Sequence, residues 1–310
     1  MIRRMKSAVA AYISLALTLQ CLAQAPATVY LGFLERRGPK AKEWDERPEG
    51  AFPRVRLAFQ HRDGRWKPVR HDAKDSEELR ASVTWYPKSL HWIVASGGRQ
   101  AGTLTTQPIE PDHYGDIAIQ RIETSAEIPP ASGPEAPWAG LASYAPLVVV
   151  TGPHFADPEG WKPDKPEPQL WASLSKHFQQ LLRAGVPVNE VEGTEVNVYK
   201  FQCGRPPQFH RGYKSRDGRR LIALDVRPCR IPTPKDAEVE TTASYYYWYV
   251  NEEGKATPLG SDLELIAIGD YDGDGLSEAL FAFSSGDNHD AYLLFTGRFS
   301  QNAIFRWGYH

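Results

Sequence analysis

Short runs that alternate apolar and polar residues fill the chain between Thr28 and Glu123. Alternation with a period of two is typical of half-buried β-strands. The runs are VYLGFLE, RVRLAFQ, SVTWYP, HWIVAS, AGTLTT and DIAIQRIE. The Asp-Gly pair in HRDGRW and the glycines in SGGRQAG indicate tight turns between neighbouring strands. We therefore predict an antiparallel β lobe over residues 24–127, with one short helix at residues 75–80.

The pattern changes in residues 128–190, where two proline-rich stretches flank a run of valines. IPPASGPEAPW and DPEGWKPDKPEP favour linkers or ordered loops, and PLVVVTG between them predicts a buried strand. After Pro168, apolar residues recur at helical spacing, and Gly185 can end the helix. The apolar stripe consists of Leu170, Leu174, Phe178, Leu181 and Leu182. We expect this helix to pack on a sheet, the alternative being a helix that binds a partner.

Residues 191–310 return to strand-like runs. They are VNVYKFQ, LIALDV, YYYWYV, ELIAIGD, EALFAFS, AYLLFTG and AIFRWGY. No internal repeat links this C-terminal lobe to the first one. The predicted fold class is therefore mainly β, with antiparallel sheets in blade-like or sandwich-like lobes and one packed amphipathic helix.

Residues 1–23 have the layout of a secretory signal peptide. Three basic residues precede an apolar stretch at residues 8–22, and cleavage fits after Ala23 or after Ala25. A retained membrane anchor is the alternative, although the stretch is shorter than the roughly 20 residues that a spanning helix needs. We expect a secreted or periplasmic protein with no membrane span after cleavage.

The cysteines suggest one disulfide bond. Removing the signal peptide takes away Cys21 and leaves Cys203 and Cys229, an even count in an oxidising compartment. Between them, two strand-like runs surround a polar turn, a layout that brings both cysteines to the same end of a hairpin. We predict that Cys203 and Cys229 pair, the alternative being two unpaired buried thiols.

Net charge argues against two classes of partner. Taking Arg3, Arg4 and Lys6 from the 36 cationic residues leaves 33 against 38 acidic ones, a net charge of −5. Nucleic-acid binding requires a concentrated cationic face, and binding to anionic lipid requires clustered lysine or arginine. Neither pattern is present in the sequence.

The stretch GDYDGDGLSE, residues 269–278, holds four carboxylates whose mutual repulsion requires a compensating charge. Side-chain oxygens occur at the first, third, fifth and ninth positions, and a backbone carbonyl is available at the seventh. These groups belong to Asp270, Asp272, Asp274, Glu278 and, through its carbonyl, Leu276. Together with water they approach the six to eight oxygens that Ca²⁺ takes. We predict a calcium site, the alternative being a solvated acidic turn.

The residues after the loop exclude an EF-hand. Its twelfth position would require a bidentate acid, and Phe281 occupies it. EALFAFS places apolar residues on both faces, which predicts a strand buried on both sides rather than a helix. The loop is therefore predicted to join two strands of a hairpin.

The segment GDYDGDGLSEALFAF resembles the FG-GAP repeat family, in which blades of β-propellers carry an Asp-x-Asp/Asn-x-Asp-Gly-x-x-Asp/Glu calcium loop between two strands. The resemblance covers residues 261–310 and implies calcium ligation by Asp270, Asp272, Asp274, Leu276 and Glu278. A propeller built from such repeats would show several loops, and this chain shows one. The resemblance therefore implies a single blade-like or sandwich-like unit.

Other candidate chemistry is sparse. No nucleophile elbow, zinc-protease helix, phosphate-binding glycine loop or Cys-x-x-Cys pair is present. A zinc site could use His61, His71 and His154, but scattered surface or core histidines are the favoured interpretation. A polar site could use Asp287, His289 and Asp290, but a hairpin turn is favoured there.

Aromatic residues give one further candidate surface. In YYYWYV a strand directs Tyr245, Tyr247 and Tyr249 to one face, which would bind a ligand if exposed and would form core if covered by a second layer. The predicted function is a calcium-binding module that binds a ligand or acts as a scaffold outside the cytoplasm, with a glycan or an envelope protein as partner. The alternative is an extracellular hydrolase acting on polysaccharide.

Overall fold

A computed structural model describes residues 28–36, 53–69, 88–111, 118–128, 146–152, 154–188, 197–227, 229–230, 245–284 and 289–308. The predicted signal peptide, the predicted helix at residues 75–80, the run SVTWYP and most of the first proline-rich stretch lie outside the described residues.

The N-terminal half forms one antiparallel sheet. Its strands are β1 (Val29–Glu35), β2 (Arg54–Arg62), β3 (Arg65–Pro68), β4 (Leu90–Ser96), β5 (Arg99–Thr106), β6 (Glu110–Pro111), β7 (Ala118–Glu127) and β8 (Leu147–Val150). They lie in the order β3-β2-β1-β8-β4-β5-β7-β6, and β2 also pairs with β7. That last pairing closes six of the strands into a ring.

Two hairpin turns in this sheet follow the predicted glycine positions. Asp63 and Gly64, between β2 and β3, have φ values of 55° and 70°, and Gly97 and Gly98, between β4 and β5, have 58° and 73°. Two successive residues with positive φ match the twist of antiparallel strands. Local turn chemistry therefore defines both hairpins, as predicted.

The strand β8 lies in the middle of the N-terminal sheet, although it follows all the other strands of that sheet along the chain. Its residues belong to the stretch predicted as a connection, yet β8 pairs with β1 on one side and β4 on the other. Val149 contacts the interior of the ring, whereas Val148 and Val150 face outward into a second core. Burial on both faces explains why this run contains valines without alternation.

The remainder of the chain supplies the helix α1 (Pro168–Ala184) and thirteen further strands among the described residues. These strands are β9 (Lys162–Pro163), β10 (Val186–Val188), β11 (Asn197–Tyr199), β12 (Gln202–Cys203), β13 (Gln208–Lys214), β14 (Arg220–Asp225), β15 (Cys229–Arg230), β16 (Tyr245–Val250), β17 (Ala256–Ser261), β18 (Leu263–Gly269), β19 (Glu278–Ser284), β20 (His289–Thr296) and β21 (Gln301–Gly308). β17-β16-β14-β13-β9 form a five-stranded sheet, and β18-β19-β20-β21 form a four-stranded meander.

The meander is covered on both faces. Leu280 and Leu294 on one face pack against the outer side of the ring, where they meet Phe59. Phe281 on the other face packs against the five-stranded sheet, with its ring 5.0 Å from that of Tyr247. The prediction that EALFAFS is buried on both sides is confirmed.

The helix α1 forms the outermost layer. It begins at Pro168, and the N–H of Gly185 donates to the carbonyl of Leu181 at its end. Phe178 packs against Trp248 of the five-stranded sheet, with ring centroids 5.1 Å apart. The predicted amphipathic helix and its packing on a sheet are confirmed, and the mainly β antiparallel fold is as predicted.

Of the two alternatives for YYYWYV, ligand surface or covered core, the structure shows covered core for two of the three tyrosines. Tyr247 and Tyr249 are buried in the core between the five-stranded sheet and the meander. Tyr245 is half-buried, and its ring stacks on that of His210 at 4.0 Å. The covering layer, which strand periodicity does not reveal, converts the predicted surface into core.

Cys203 and Cys229 face each other across the short β12–β15 pair, and their sulfur atoms lie 2.06 Å apart. The hairpin β13–β14 connects them, so both cysteines lie at the same end of that hairpin. This is the predicted pairing. An oxidising compartment is compatible with this bond.

Residues 154–161, which we call the connector, join three parts of the fold. The carbonyl of Ala156 accepts the N–H of Asp270 at 2.9 Å, and the N–H of Asp157 donates to the carbonyl of Gly98 at 3.0 Å. The N–H of Arg216, in the β13–β14 turn, donates to the carbonyl of Glu159 at 2.9 Å. The connector therefore holds the ring, the meander and the five-stranded sheet in one arrangement.

A buried ion cluster lies at the ends of β1 and β2. The Glu35 carboxylate accepts hydrogen bonds from Arg54 at 2.9 Å and from Arg56, and all three side chains are almost completely buried. Burial by itself would raise the pKa of Glu35, but the charges of Arg56 and Arg54 and their hydrogen bonds outweigh it and lower the pKa to about 2.

We predict that Gly269→Ala destabilises the protein. A Cβ on Gly269 would overlap the ring of Phe155, which stacks on Tyr271 and cannot easily move. The cost is expected to be about 1–3 kcal/mol in urea unfolding. Gly204→Ala, where a Cβ meets no atom within 4 Å, is the control and should change stability by less than about 0.5 kcal/mol. Equal stability of the two variants would contradict this packing.

We also predict that Glu35 contributes to the pH dependence of stability. Its folded-state pKa of about 2 lies below its ordinary value of 4.5, so the contribution is complete above about pH 4.5 and is lost as the pH falls towards 2. Glu35→Gln should lose about 3–5 kcal/mol at neutral pH and should flatten the acid limb of a stability-versus-pH curve from urea unfolding. Glu123→Gln, an exposed glutamate of β7, is the control. An unchanged acid limb in Glu35→Gln would refute the assignment.

Candidate metal centre

The acidic loop joins β18 to β19, as predicted for a hairpin. Asp270, Asp272 and Glu278 each place a carboxylate oxygen within 4.8 Å of the others. The structure therefore brings together three of the five predicted ligands, including the first and last acids of the loop. Among the described residues, no other group of three His, Cys, Asp or Glu side chains converges in this way.

Two glycines shape the loop around Asp270. Its carboxylate accepts the N–H of Gly273 at 2.6 Å and the N–H of Gly275 at 2.9 Å. Gly273 and Gly275 have φ values of 80° and 88°, a region that other residues rarely adopt. The alternation of acids and glycines thus folds the backbone back onto the first aspartate.

Asp274, the remaining acid of the loop, lies outside the converging group. Asp274 is exposed, and its Oδ1 accepts the N–H of Leu276 at 2.7 Å. Its own N–H donates to Asp272 Oδ1 at 3.2 Å. Asp274 is thus hydrogen-bonded within its own turn, and ligation by Asp274 and by the Leu276 carbonyl stays a prediction.

Glu278 is the most deeply buried acid of the loop, with 1% of its surface exposed. Its Oε2 accepts the N–H of Tyr271 at 2.8 Å, and no described residue donates to Oε1. Burial, followed by the charges of Asp272, Asp270 and Asp274, raises the pKa of Glu278 to about 9. Burial and the charge of Asp274 also raise the pKa of Asp272.

The N-terminal sheet reaches this loop through the β2–β3 hairpin. Trp66 Nε1 donates to Asp272 Oδ2 at 3.1 Å, and His61 Nε2 lies 3.4 Å from the same oxygen. Sequence reasoning considered His61 only as a zinc ligand and did not single out Trp66. Residues 206 positions apart leave no local pattern that would reveal this contact.

The connector supports the loop from the opposite side. The Asp157 carboxylate accepts the N–H groups of Glu159, Gly160 and Trp161 and also the hydroxyl of Ser277, the last at 2.8 Å. Phe155 stacks on Tyr271 with ring centroids 5.2 Å apart. One carboxylate thus organises the connector turn and attaches it to the acidic loop.

A cavity of about 520 Å³ opens beside the acids. Asp272, Asp274 and Glu278 form one side, and His61 and residues 64–66 of the β2–β3 hairpin form another. The third side comes from Thr296 and residues 301–303 at the β20–β21 hairpin. The cavity therefore lies where the two halves of the chain meet.

The remaining candidates do not form sites among the described residues. His154 is exposed and His61 contacts Asp272, whereas His71 and Asp287 lie outside the described part of the chain. The side chains of His289 and Asp290 are likewise outside it. In the ranges that the structure describes, no helix combines the length and apolar character needed to cross a membrane.

Comparison with known proteins finds no relative. No protein family model matches the chain, and neither the curated proteins nor the solved structures include a significant match. The resemblance to FG-GAP repeats therefore stays a prediction that rests on the loop motif alone.

We predict that Asp157→Ala destabilises the metal-free protein by about 3 kcal/mol, because it removes three hydrogen bonds within the half-buried connector turn and a fourth from Ser277 of the acidic loop. Ser277→Ala removes only one of these bonds and should cost about 1 kcal/mol. Urea unfolding in the presence of chelator measures both without a contribution from metal. Similar values for the two variants would show that Asp157 does not organise the connector.

Proposed function

We propose that the chain is a calcium-binding module that acts outside the cytoplasm. The observation that carries this proposal is the Glu278 carboxylate, which is 1% exposed and has one oxygen without a hydrogen-bond donor among the described residues. No lysine or arginine of the described residues forms an ion pair with the loop acids. An ion at this position would offset the mutual repulsion of the converging carboxylates, which together with burial raises the pKa of Glu278.

The donor chemistry favours calcium over other metals. The converging ligands are all carboxylate oxygens, which hard cations prefer, whereas zinc favours nitrogen and sulfur ligands. Glycines give the loop the freedom to turn Asp274 and the carbonyl of Leu276 towards an ion. Calcium tolerates such a flexible, irregular set of six to eight oxygens better than magnesium, which demands a regular octahedron.

The surrounding architecture agrees with an FG-GAP-like unit. The loop lies between the first two strands of a four-stranded antiparallel meander, which is the arrangement of one propeller blade. Secretion is supported by the signal-peptide layout of residues 1–23 and by the Cys203–Cys229 bond. We infer that the ion stabilises the meander and, through Asp272, its contact with the β2–β3 hairpin.

A polysaccharide hydrolase is the second candidate, because carboxylates and Trp66 line the same cavity. Glycosidases hold their two carboxyl groups about 5–5.5 Å or about 6.5–9.5 Å apart. One oxygen each of Asp270, Asp272 and Glu278 lies within 4.8 Å of the others, a convergence of three acids that suits a shared cation, whereas a glycosidase needs only two. Release of reducing ends from a polysaccharide by the purified protein would favour the hydrolase.

The calcium proposal predicts a stabilising effect of roughly 0.4–1.4 kcal/mol at millimolar calcium, if the affinity is that of extracellular modules. The melting temperature should rise by roughly 1–5 °C relative to chelator. Glu278→Gln should abolish this rise, because it removes a charged ligand. In chelator at neutral pH the same variant should melt close to the temperature of the unmodified protein, because the raised pKa of Glu278, about 9, leaves its carboxyl group largely protonated and glutamine replaces it with a neutral group of similar shape.

Matched controls separate calcium binding from general effects of charge. Glu253→Gln removes an exposed acid from the β16–β17 turn and should keep the full calcium-dependent rise. Asp272→Ala should lose it. Identical melting curves of the unmodified protein in calcium and in chelator would refute the proposal, as would an undiminished rise in Glu278→Gln.

A further inference from the structure

We propose that the cavity beside the acidic loop binds a neutral, hydroxyl-rich ligand, a sugar, whose oxygens coordinate the calcium ion. This inference rests on the proposed function. It concerns the side of the candidate ion site that faces the cavity. The sequence suggests either a glycan or an envelope protein as the partner, and the inference chooses the glycan.

The cavity and the candidate ion site share their residues. Asp272 and Glu278 belong both to the converging carboxylates and to the cavity lining. An ion held by these two residues and Asp270 therefore borders the cavity. One oxygen from each of these three acids, together with Asp274 and the Leu276 carbonyl, gives five of the six to eight oxygens of calcium, so oxygen atoms from a ligand in the cavity can complete the set.

The charge of the site selects against anionic ligands. The loop carries four carboxylates, and one divalent ion leaves it with a net charge of −2. Arg65, an exposed residue of β3, is the one arginine or lysine of the described lining. A carboxylate or phosphate entering the cavity would still face an excess of negative charge, whereas neutral hydroxyl groups coordinate calcium without that repulsion.

The other walls supply the contacts that a sugar uses. Gln301 and Asn302 are exposed at the start of β21, and their amides both donate and accept hydrogen bonds. Thr296 adds a hydroxyl at the end of β20. Trp66 is half-buried, so part of its apolar ring borders the cavity while its Nε1 donates to Asp272.

The size and position of the cavity are consistent with this ligand. A volume of about 520 Å³ lies inside the range of about 300–1,000 Å³ that is typical of small-molecule sites. The walls come from hairpins of both halves of the chain, so the cavity is shaped by the packing of the fold rather than by one loop. An open cavity of this kind also admits the end of a longer glycan.

The test is a titration of the full chain with neutral methyl glycosides of mannose, galactose and glucose, followed by calorimetry and tryptophan fluorescence, in calcium and in chelator. At least one glycoside should bind in calcium and lose binding in chelator. The double variant Gln301→Ala with Asn302→Ala should bind it about tenfold more weakly or not at all. Gln100→Ala, an exposed amide of β5, is the control and should bind it unchanged.

The double variant also distinguishes failure of this inference from failure of the proposed function. It should retain the calcium-dependent rise in melting temperature, because it leaves the acidic loop intact. A protein that calcium stabilises but that binds no neutral glycoside overturns the sugar assignment and leaves the calcium module standing. Binding that persists in chelator, or that is restricted to glucuronic acid used as an anionic probe, also overturns it. Absence of any calcium effect overturns both.

Discussion

The acidic loop has its shape because the strands on either side of it cannot separate. β19 is buried on both faces, and each of Leu280, Phe281 and Phe283 contributes about 1.5–3 kcal/mol by burial. A pair of carboxylates near a protein surface repels by roughly 4 kcal/mol at 4 Å and by less in bulk water. Packing of the meander between two sheets is therefore strong enough to hold like charges together, and the proposed cation at their centre would convert that repulsion into attraction.

The candidate site lies at the junction of the two halves of the chain. Asp272 contacts Trp66 and His61 of the first sheet, and Asp157 attaches the connector to the loop through Ser277. Such an ion would stabilise the contact between the halves as well as the hairpin that carries the loop. It would also set the charge of the neighbouring cavity, which is why the proposed metal and the proposed ligand class depend on each other.

Much of the local structure could be predicted from the sequence. Residues close to one another along the chain were enough to predict many strands, the Asp-Gly and Gly-Gly turns and the helix after Pro168. They also predicted the pairing of Cys203 with Cys229. The acidic loop is also a local feature, because the alternation of aspartates and glycines determines which carboxylate oxygens can converge. Asp274 lies outside the converging group and accepts the N–H of Leu276, a local contact that the spacing of the acids does not reveal.

Tertiary structure alone decided which faces are covered and which distant residues meet. Strand periodicity places Tyr247 and Tyr249 on one face, and only the position of the meander makes that face core. The insertion of β8 between β1 and β4, the closure of the ring and the approach of Trp66 to Asp272 join segments separated by tens to hundreds of residues. Local propensity carries no information about such contacts, because they depend on the layer that each sheet packs against. The sequence therefore determined the elements and the acidic loop, and packing between layers determined the cavity beside it.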